Sequence, residues 1–192
     1  MGGDVLGTEV PGLASGPVSG QTLFMIEYLR GDIRSPRHEG RPIVIPHIVN
    51  DANRMGAGVA LALSRKWPSV KSRYHDWAGG ALAGVPFALG AVQSVKVVAD
   101  PQPWWVINMV AQTAPRALSG PGSKAPPPIR YDALRTCLTK VAAFSLARGA
   151  SVHMPQIGSK RAGGDWDGAI VPLIEETLVA RCVPVVVYLW EG

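Results

Sequence analysis

Apolar and polar positions along this chain follow two rhythms. Short β-branched or aromatic runs alternate with longer stretches in which apolar residues recur every three or four positions. LFMIEYL (23–29) and PIVIPHIVN (42–50) are runs of the first kind and predict strands. The second run is apolar throughout, which predicts a strand buried on both faces. MGAGVALALSRKW (55–67) has helical composition and meets Pro68, where helices stop; SVKSRYHDWA (69–78) predicts another short helix. ALGAVQSVKVVAD (88–100) and PWWVINMVAQ (103–112) predict two strands with a tight connection, and the proline-rich residues 113–128 predict a loop. IRYDALRTCLTKVAAFSLARG (129–149) is the clearest helix, with apolar residues at 134, 138, 141, 142 and 146 and a glycine stop at 149. ASVHMPQIG (150–158) predicts a strand, DWDGAIVPLIEETLVARC (165–182) a helix and VPVVVYLW (183–190) a final strand.

Strands alternating with helices imply an α/β domain with a mostly parallel sheet covered on both faces. Such sheets bind ligands beyond the carboxyl ends of their strands. Two glycine-bearing loops sit at such ends: VNDANRMGAG (49–58) and HMPQIGSKRAGGDW (153–166). Each runs from a strand to a helix. Each can aim backbone N–H groups and a helix N-terminus at one ligand, which suits a diphosphate. Glycine loses more backbone freedom on folding than any other residue, so Gly158, Gly163 and Gly164 in one loop require a reason. Close approach of the main chain to an anion is one; an ordinary strand-to-helix turn is the other. The GSK at 158–160 is not a Walker A loop, because the preceding glycine spacing is wrong.

With 192 residues, 47% of them hydrophobic and 17% charged, the chain is long enough for one domain with a proper core. The net charge of +5 favours anionic ligands, while the absence of a long Lys/Arg run argues against a nucleic-acid partner. Cys137 and Cys182 are far apart and lack metal-type spacing, which reads as a buried, reduced pair in a cytoplasmic protein. No apolar run approaches the ~18 residues of a membrane span. Residues 1–20, rich in Gly, Ser and Pro, read as a flexible leader, and 21–192 as a single domain. Nothing in the sequence calls for a metal or cofactor.

The order and spacing of these motifs resemble the macrodomain family, whose members bind ADP-ribose. The resemblance runs from Met25 to Trp190 and implies a three-layer α/β/α fold with a mixed, mostly parallel central sheet. YLRGD (28–32) resembles the opening strand, which gives Asp32 the role of adenine acceptor, with Ile33 beside it; capping of the following turn is its alternative role. HIVNDANRMGAGVALAL (47–63) resembles the first ligand loop. It implies Asn50 and Asn53 at the distal ribose and Gly56, Ala57, Gly58 and Val59 against the ligand. Turn chemistry is the alternative for the asparagines, helix–sheet packing for the glycines. SVHMPQIGSKRAGGDW (151–166) resembles the diphosphate loop and implies contacts from Gln156, Gly158, Ser159, Lys160, Arg161, Ala162 and Gly163. PVVVYLW (184–190) resembles the closing strand, with Tyr188 as the aromatic near adenine.

RMGAG and MPQIG…GGDW are similar to a branch containing both the terminal ADP-ribose protein glycohydrolase and the macrodomain of a poly-ADP-ribose-activated chromatin remodeller. The first removes ADP-ribose from proteins; the second only binds. The glycohydrolase uses a Lys near the end of a central strand and an Asp in the second loop, where this chain has Gln112 and Ala162. Neither can form a Schiff base or act as a base. The resemblance implies a partner that is ADP-ribose or an ADP-ribosylated protein. It implies hydrolysis of ADP-ribose from modified proteins or a related ester, with a non-catalytic reader as the alternative. Asp51 and Asp165 are the candidate catalytic acids; Asp165 is alternatively a helix N-cap. His47 and His153 read as core residues.

Overall fold

The β-branched runs form a single sheet. The computed structural model describes residues 25–98, 101–113, 128–159 and 162–190. Its strands are β1 (Ile26–Arg30), β2 (Ile43–Asn50), β3 (Val92–Val98), β4 (Trp104–Gln112), β5 (Ser151–Pro155) and β6 (Val185–Leu189). They are ordered β1-β6-β5-β2-β4-β3, and every neighbouring pair is parallel except β3 with β4. Helices α1 (Gly58–Lys66), α2 (Pro68–Ala78), α3 (Tyr131–Leu146) and α4 (Val171–Thr177) cover the faces. This is the expected three-layer α/β/α arrangement with a mixed, mostly parallel sheet.

β2 lies between β5 and β4 and divides its residues between two cores. Ile43, Ile45 and Val49 pack with Leu63, Val70, Tyr74 and Trp77 of α1 and α2. Val44 packs on the other face with Leu134 and Leu138 of α3 and Ile174 of α4. A strand with helices on both sides has no face for water, which is why its sequence does not alternate.

Three expectations change. In α3, Ser145 takes the inward position and Leu146 is 49% exposed, because a stripe through 134, 138 and 141 reaches 145 at the helical period. The helix expected over 165–182 is a π-turn at Trp166–Ile170, then α4, then a 3₁₀ turn at Val179–Arg181. Pro172, at the start of α4, has no N–H for an i→i−4 bond to Gly168, and the preceding turn closes instead from Ile170 N–H to Asp165 O at 3.0 Å. The cysteines are both free, but only Cys137 is buried, its thiol pushed up to about 12 by desolvation; Cys182 is exposed. The leader expected at 1–20 lies outside the described residues. No described helix is long and apolar enough to cross a membrane.

Candidate functional site

The first loop is held by a single side chain. Asn50, at the end of β2, accepts from Ala52 N–H at 3.0 Å and Arg54 N–H at 3.1 Å through its Oδ1, and its amide donates to Arg54 O at 2.5 Å. Tyr74 of α2 donates its hydroxyl to Asn50 O at 2.8 Å. Burial pushes that phenol up to about 12, so it remains a donor. Beyond this clamp Met55 turns inward and Gly56–Ala57 lead into α1. Ala57 is the N-cap residue in extended conformation, with no side-chain cap and no acid in the first turn. The first N–H groups of α1 therefore have no acceptor from a side-chain cap, and an end of this kind can receive an anion.

The second loop closes on itself. Gly164 N–H donates to Gly158 O at 2.9 Å, and Ile129 N–H donates to Ala162 O at 3.3 Å, tying the loop to the approach to α3. Gly158 has φ +74°, and a Cβ there would lie 2.6 Å from Ile129 Cδ1, 3.1 Å from Ile170 Cδ1 and 3.2 Å from Ile48 Cδ1. Gly164 is confined by the same Ile129 and Ile170 methyls at 3.0 Å. Two of the three glycines thus answer to packing. Gly163 is exposed at φ +66° and, like Gly158, lines the cavity between the two loops.

Both loops line one cavity of about 890 Å³ at the carboxyl ends of β2, β4 and β5. Of the residues expected at the ligand, Asn50, Gly56, Ala57, Gly58, Val59, Gln156, Gly158, Ala162 and Gly163 line it. So does Gln112, presented by a break in register where Val49 pairs with Val110 but Asn50 with Gln112. Bulges of this kind re-aim side chains beside functional sites.

Other expected residues are placed elsewhere. Asp165 is exposed and caps the π-turn, accepting from Gly168 N–H at 2.9 Å; a Cβ at Gly168 would collide with that carboxylate. Its alternative role as an N-cap is the one observed. Asp51 is exposed and off the cavity lining. Asn53, at φ 55°, faces α2, with Oδ1 2.5 Å from His75 Nδ1. The Asn50 amide is engaged by its own loop. Ser159 donates to Gln156 O at 2.9 Å, which is turn chemistry. Asp32 receives Arg34 N–H at 2.8 Å and Arg34 Nε at 2.7 Å, and this pairing holds its carboxyl below the usual range. Ile33 and Tyr188 are outside the cavity lining but share an apolar cluster with Met55 and Val59, which line it. The Tyr188 hydroxyl turns into the protein, accepting from Arg37 N–H at 2.7 Å and lying 3.2 Å from His153 Nδ1. Lys160 and Arg161 lie outside the described residues.

Sequence reasoning passed over Arg54 and read His47 as a core residue; both line the cavity. Arg54 is an exposed cation beside the α1 N-terminus; its position immediately before Met-Gly-Ala-Gly was the available signal. His47 is 1% exposed, with Nε2 2.6 Å from Asn108 Oδ1. Asn108 donates to Gln93 Oε1 at 2.9 Å, and Gln93 donates to Arg73 O at 2.8 Å. That direction of donation requires the proton on His47 Nε2, leaving Nδ1 a buried lone pair with no partner. Desolvation lowers this imidazole to about 4, against the smaller opposing effect of the Asn108 hydrogen bond.

No protein-family model matches the chain. A macrodomain protein from Streptomyces coelicolor is 38% identical, with a TM-score of 0.71, over 88% of this chain and 100% of that one. The chain belongs to the macrodomain family. A protein of unknown function from Bacteroides thetaiotaomicron is 41% identical, with a TM-score of 0.75, over 86% of this chain and 98% of that one. The mouse chromodomain-helicase-DNA-binding protein 1-like is 29% identical over 172 residues, which span 85% of this chain but 17% of that protein. An Oceanobacillus iheyensis macrodomain solved with ADPR shares the fold at 17% identity and a TM-score of 0.59, over 86% of this chain and 84% of that one.

Proposed function

We infer that this macrodomain binds ADP-ribose, free or attached to protein, in the cavity between its two loops. The observation that carries this reading is the convergence of the uncapped α1 N-terminus and the Gly163 main chain on one concave space. The uncapped start of α1 and the Gly163 main chain on the same cavity suit a diphosphate, and about 890 Å³ is within the size range of nucleotide-scale ligands. Apolar Met55 and Val59 on the Ile33–Tyr188 side offer a surface for a base.

Turnover needs a base or nucleophile near the distal ribose. The titratable side chains among the described lining residues are His47 and Arg54, and Gln112 and Ala162, which the resemblance aligns with the glycohydrolase Lys and Asp, also line the cavity. Asp51 is off the lining and Asp165 is committed to its cap. This balance favours a reader of ADP-ribose. Hydrolysis of ADP-ribose from modified proteins is the second reading, kept by the unpartnered Nδ1 of His47. There, water would add to the anomeric carbon, the bond to the protein side chain would break, and the leaving oxygen would take the proton.

Calorimetry with ADP-ribose tests the binding. A dissociation constant in the micromolar range, about −8 kcal/mol, is expected. Gly163→Glu should abolish it while melting within a few degrees of the parent, because a carboxylate would project among the phosphate-facing N–H groups. No heat at millimolar ADP-ribose, or a folded Gly163→Glu protein that binds like the parent, would reject the reading. Mass measurement of product released from Ser-, Glu- or Arg-linked ADP-ribosylated protein separates reader from hydrolase.

A further inference from the structure

β3 is the last strand of the sheet, and no described strand pairs with its outer side. Ala91 O accepts from Val110 N–H at 3.0 Å. Bonded pairs recur every second residue on an antiparallel ladder, so Gln93–Asn108 and Val95–Val106 carry the next ladder bonds. The N–H and C=O groups of Val92, Ser94 and Lys96 then point outward. Beside this edge lies a second cleft, of about 470 Å³, formed with α2 and the turn from Leu82 to Val85.

The charged residues lining this cleft have one sign. Gln93 and Val95 are buried on the α2 face, while Ser94 and Lys96 are exposed on the other. Arg73 of α2 and Lys96 therefore flank the edge from its two faces. Both line the cleft, both are exposed, and neither is in an ion pair among the described residues. No residue lining the cleft is acidic. A second copy of this chain would bring the same cations against each other, and like charges across a strand pair are destabilising. Lys on an edge strand guards against self-pairing for this reason. An acidic strand meets the opposite situation.

We propose that the open edge of β3 docks an extended acidic segment of a partner polypeptide, which adds as a further strand. Its main chain pairs with Val92, Ser94 and Lys96. Adjacent carboxylates, pointing to opposite faces of the added strand, meet Arg73 and Lys96. An apolar side chain on the α2 face enters the cleft at Leu82 and Val85.

The test uses isotope-labelled full chain and two capped hexapeptides, Glu-Glu-Val-Thr-Val-Thr and Lys-Lys-Val-Thr-Val-Thr. The acidic peptide should shift the amide resonances of Val92–Lys96 with a dissociation constant of about 1 mM or tighter; the lysine peptide should leave them in place. Arg73→Glu with Lys96→Glu should weaken the acidic peptide at least about tenfold and admit the lysine peptide. Ser94→Pro removes one outward N–H without touching the ladder to β4, and should also lose the acidic peptide. The proposal is overturned if the acidic peptide shifts nothing at β3 at several millimolar, if its shifts fall in the Asn50–Ala60 loop, or if Ser94→Pro binds as the parent does. It is equally overturned if β3 amides shift with protein concentration alone, which would make the occupant a second copy. ADP-ribose binding is read separately, so failure here leaves the cavity assignment standing.

Discussion

Gly158→Ala should destabilise the protein without directly touching the ligand. At φ +74° an L-residue pays roughly 1–2 kcal/mol for the left-handed conformation. The new methyl would also stand 2.6 Å from Ile129 Cδ1, with Ile170 Cδ1 and Ile48 Cδ1 at 3.1 and 3.2 Å closing the other directions. Overpacking of this kind costs about 1–3 kcal/mol. The sum, about 2–5 kcal/mol, corresponds to a fall in Tm of roughly 4–20 °C for a domain of this size. Ile129→Val removes the nearest methyl and alone costs about 0.5–1.5 kcal/mol. In the Gly158→Ala background it should return about 1 kcal/mol, so the two changes couple. Urea unfolding of the four proteins of this cycle gives the coupling, and calorimetry on the same preparations gives ADP-ribose affinity. Affinity should track the folded fraction. Additive changes within about 0.3 kcal/mol would refute the packing argument. So would a Gly158→Ala protein that melts like the parent yet loses ADP-ribose, which would make this glycine a phosphate contact after all.

Stability should fall between about pH 6.5 and pH 4. His47 and His153 are both lowered to about 4, chiefly by desolvation. The folded state keeps them neutral while the unfolded state takes up protons below its ordinary value. Their contribution is therefore complete above pH 6.5 and lost progressively on the way down to 4, by roughly 3 kcal/mol for each histidine. Urea midpoints that stay level from pH 7 to 4.5 would contradict this. Asp165→Ala should cost about 1 kcal/mol, the worth of an N-cap, with ADP-ribose affinity unchanged and any turnover retained. Loss of turnover at unchanged stability would restore Asp165 as a catalytic acid.

The fold was legible because its signals are local and redundant. β2 announces burial on both faces by failing to alternate, and the stripe of α3 needs only the helical period. The errors fall at single positions. Pro172 interrupts the expected 165–182 helix between the π-turn and α4, and the helical period turns Ser145 inward and leaves Leu146 outside regardless of polarity. The site was legible as a pair of loops but not as a set of side chains. Asn50, Asn53, Ser159 and Asp165 are polar residues in turns, and each can serve a ligand or its own backbone. Which it does depends on partners distant in sequence, such as His75 for Asn53, or on small local differences, such as the missing side chain at Gly168 that admits the Asp165 carboxylate.

The same ambiguity explains the glycine loop. A glycine required by positive φ, one required by a crowded Cβ position and one required by a nearby anion are identical in sequence. Only the three isoleucine methyls around Gly158, contributed by β2, the approach to α3 and the π-turn, assign it to packing. Gly163, exposed at φ +66°, lines the cavity, and on the proposed reading its backbone meets a phosphate. The consequence is a division of labour. Gly158 and Gly164 shape the loop through the core beneath it, and the loop then presents Gly163 opposite the α1 N-terminus. Packing fixes the Gly158 and Gly164 positions before a ligand arrives, and preorganisation of that kind lowers the cost of binding.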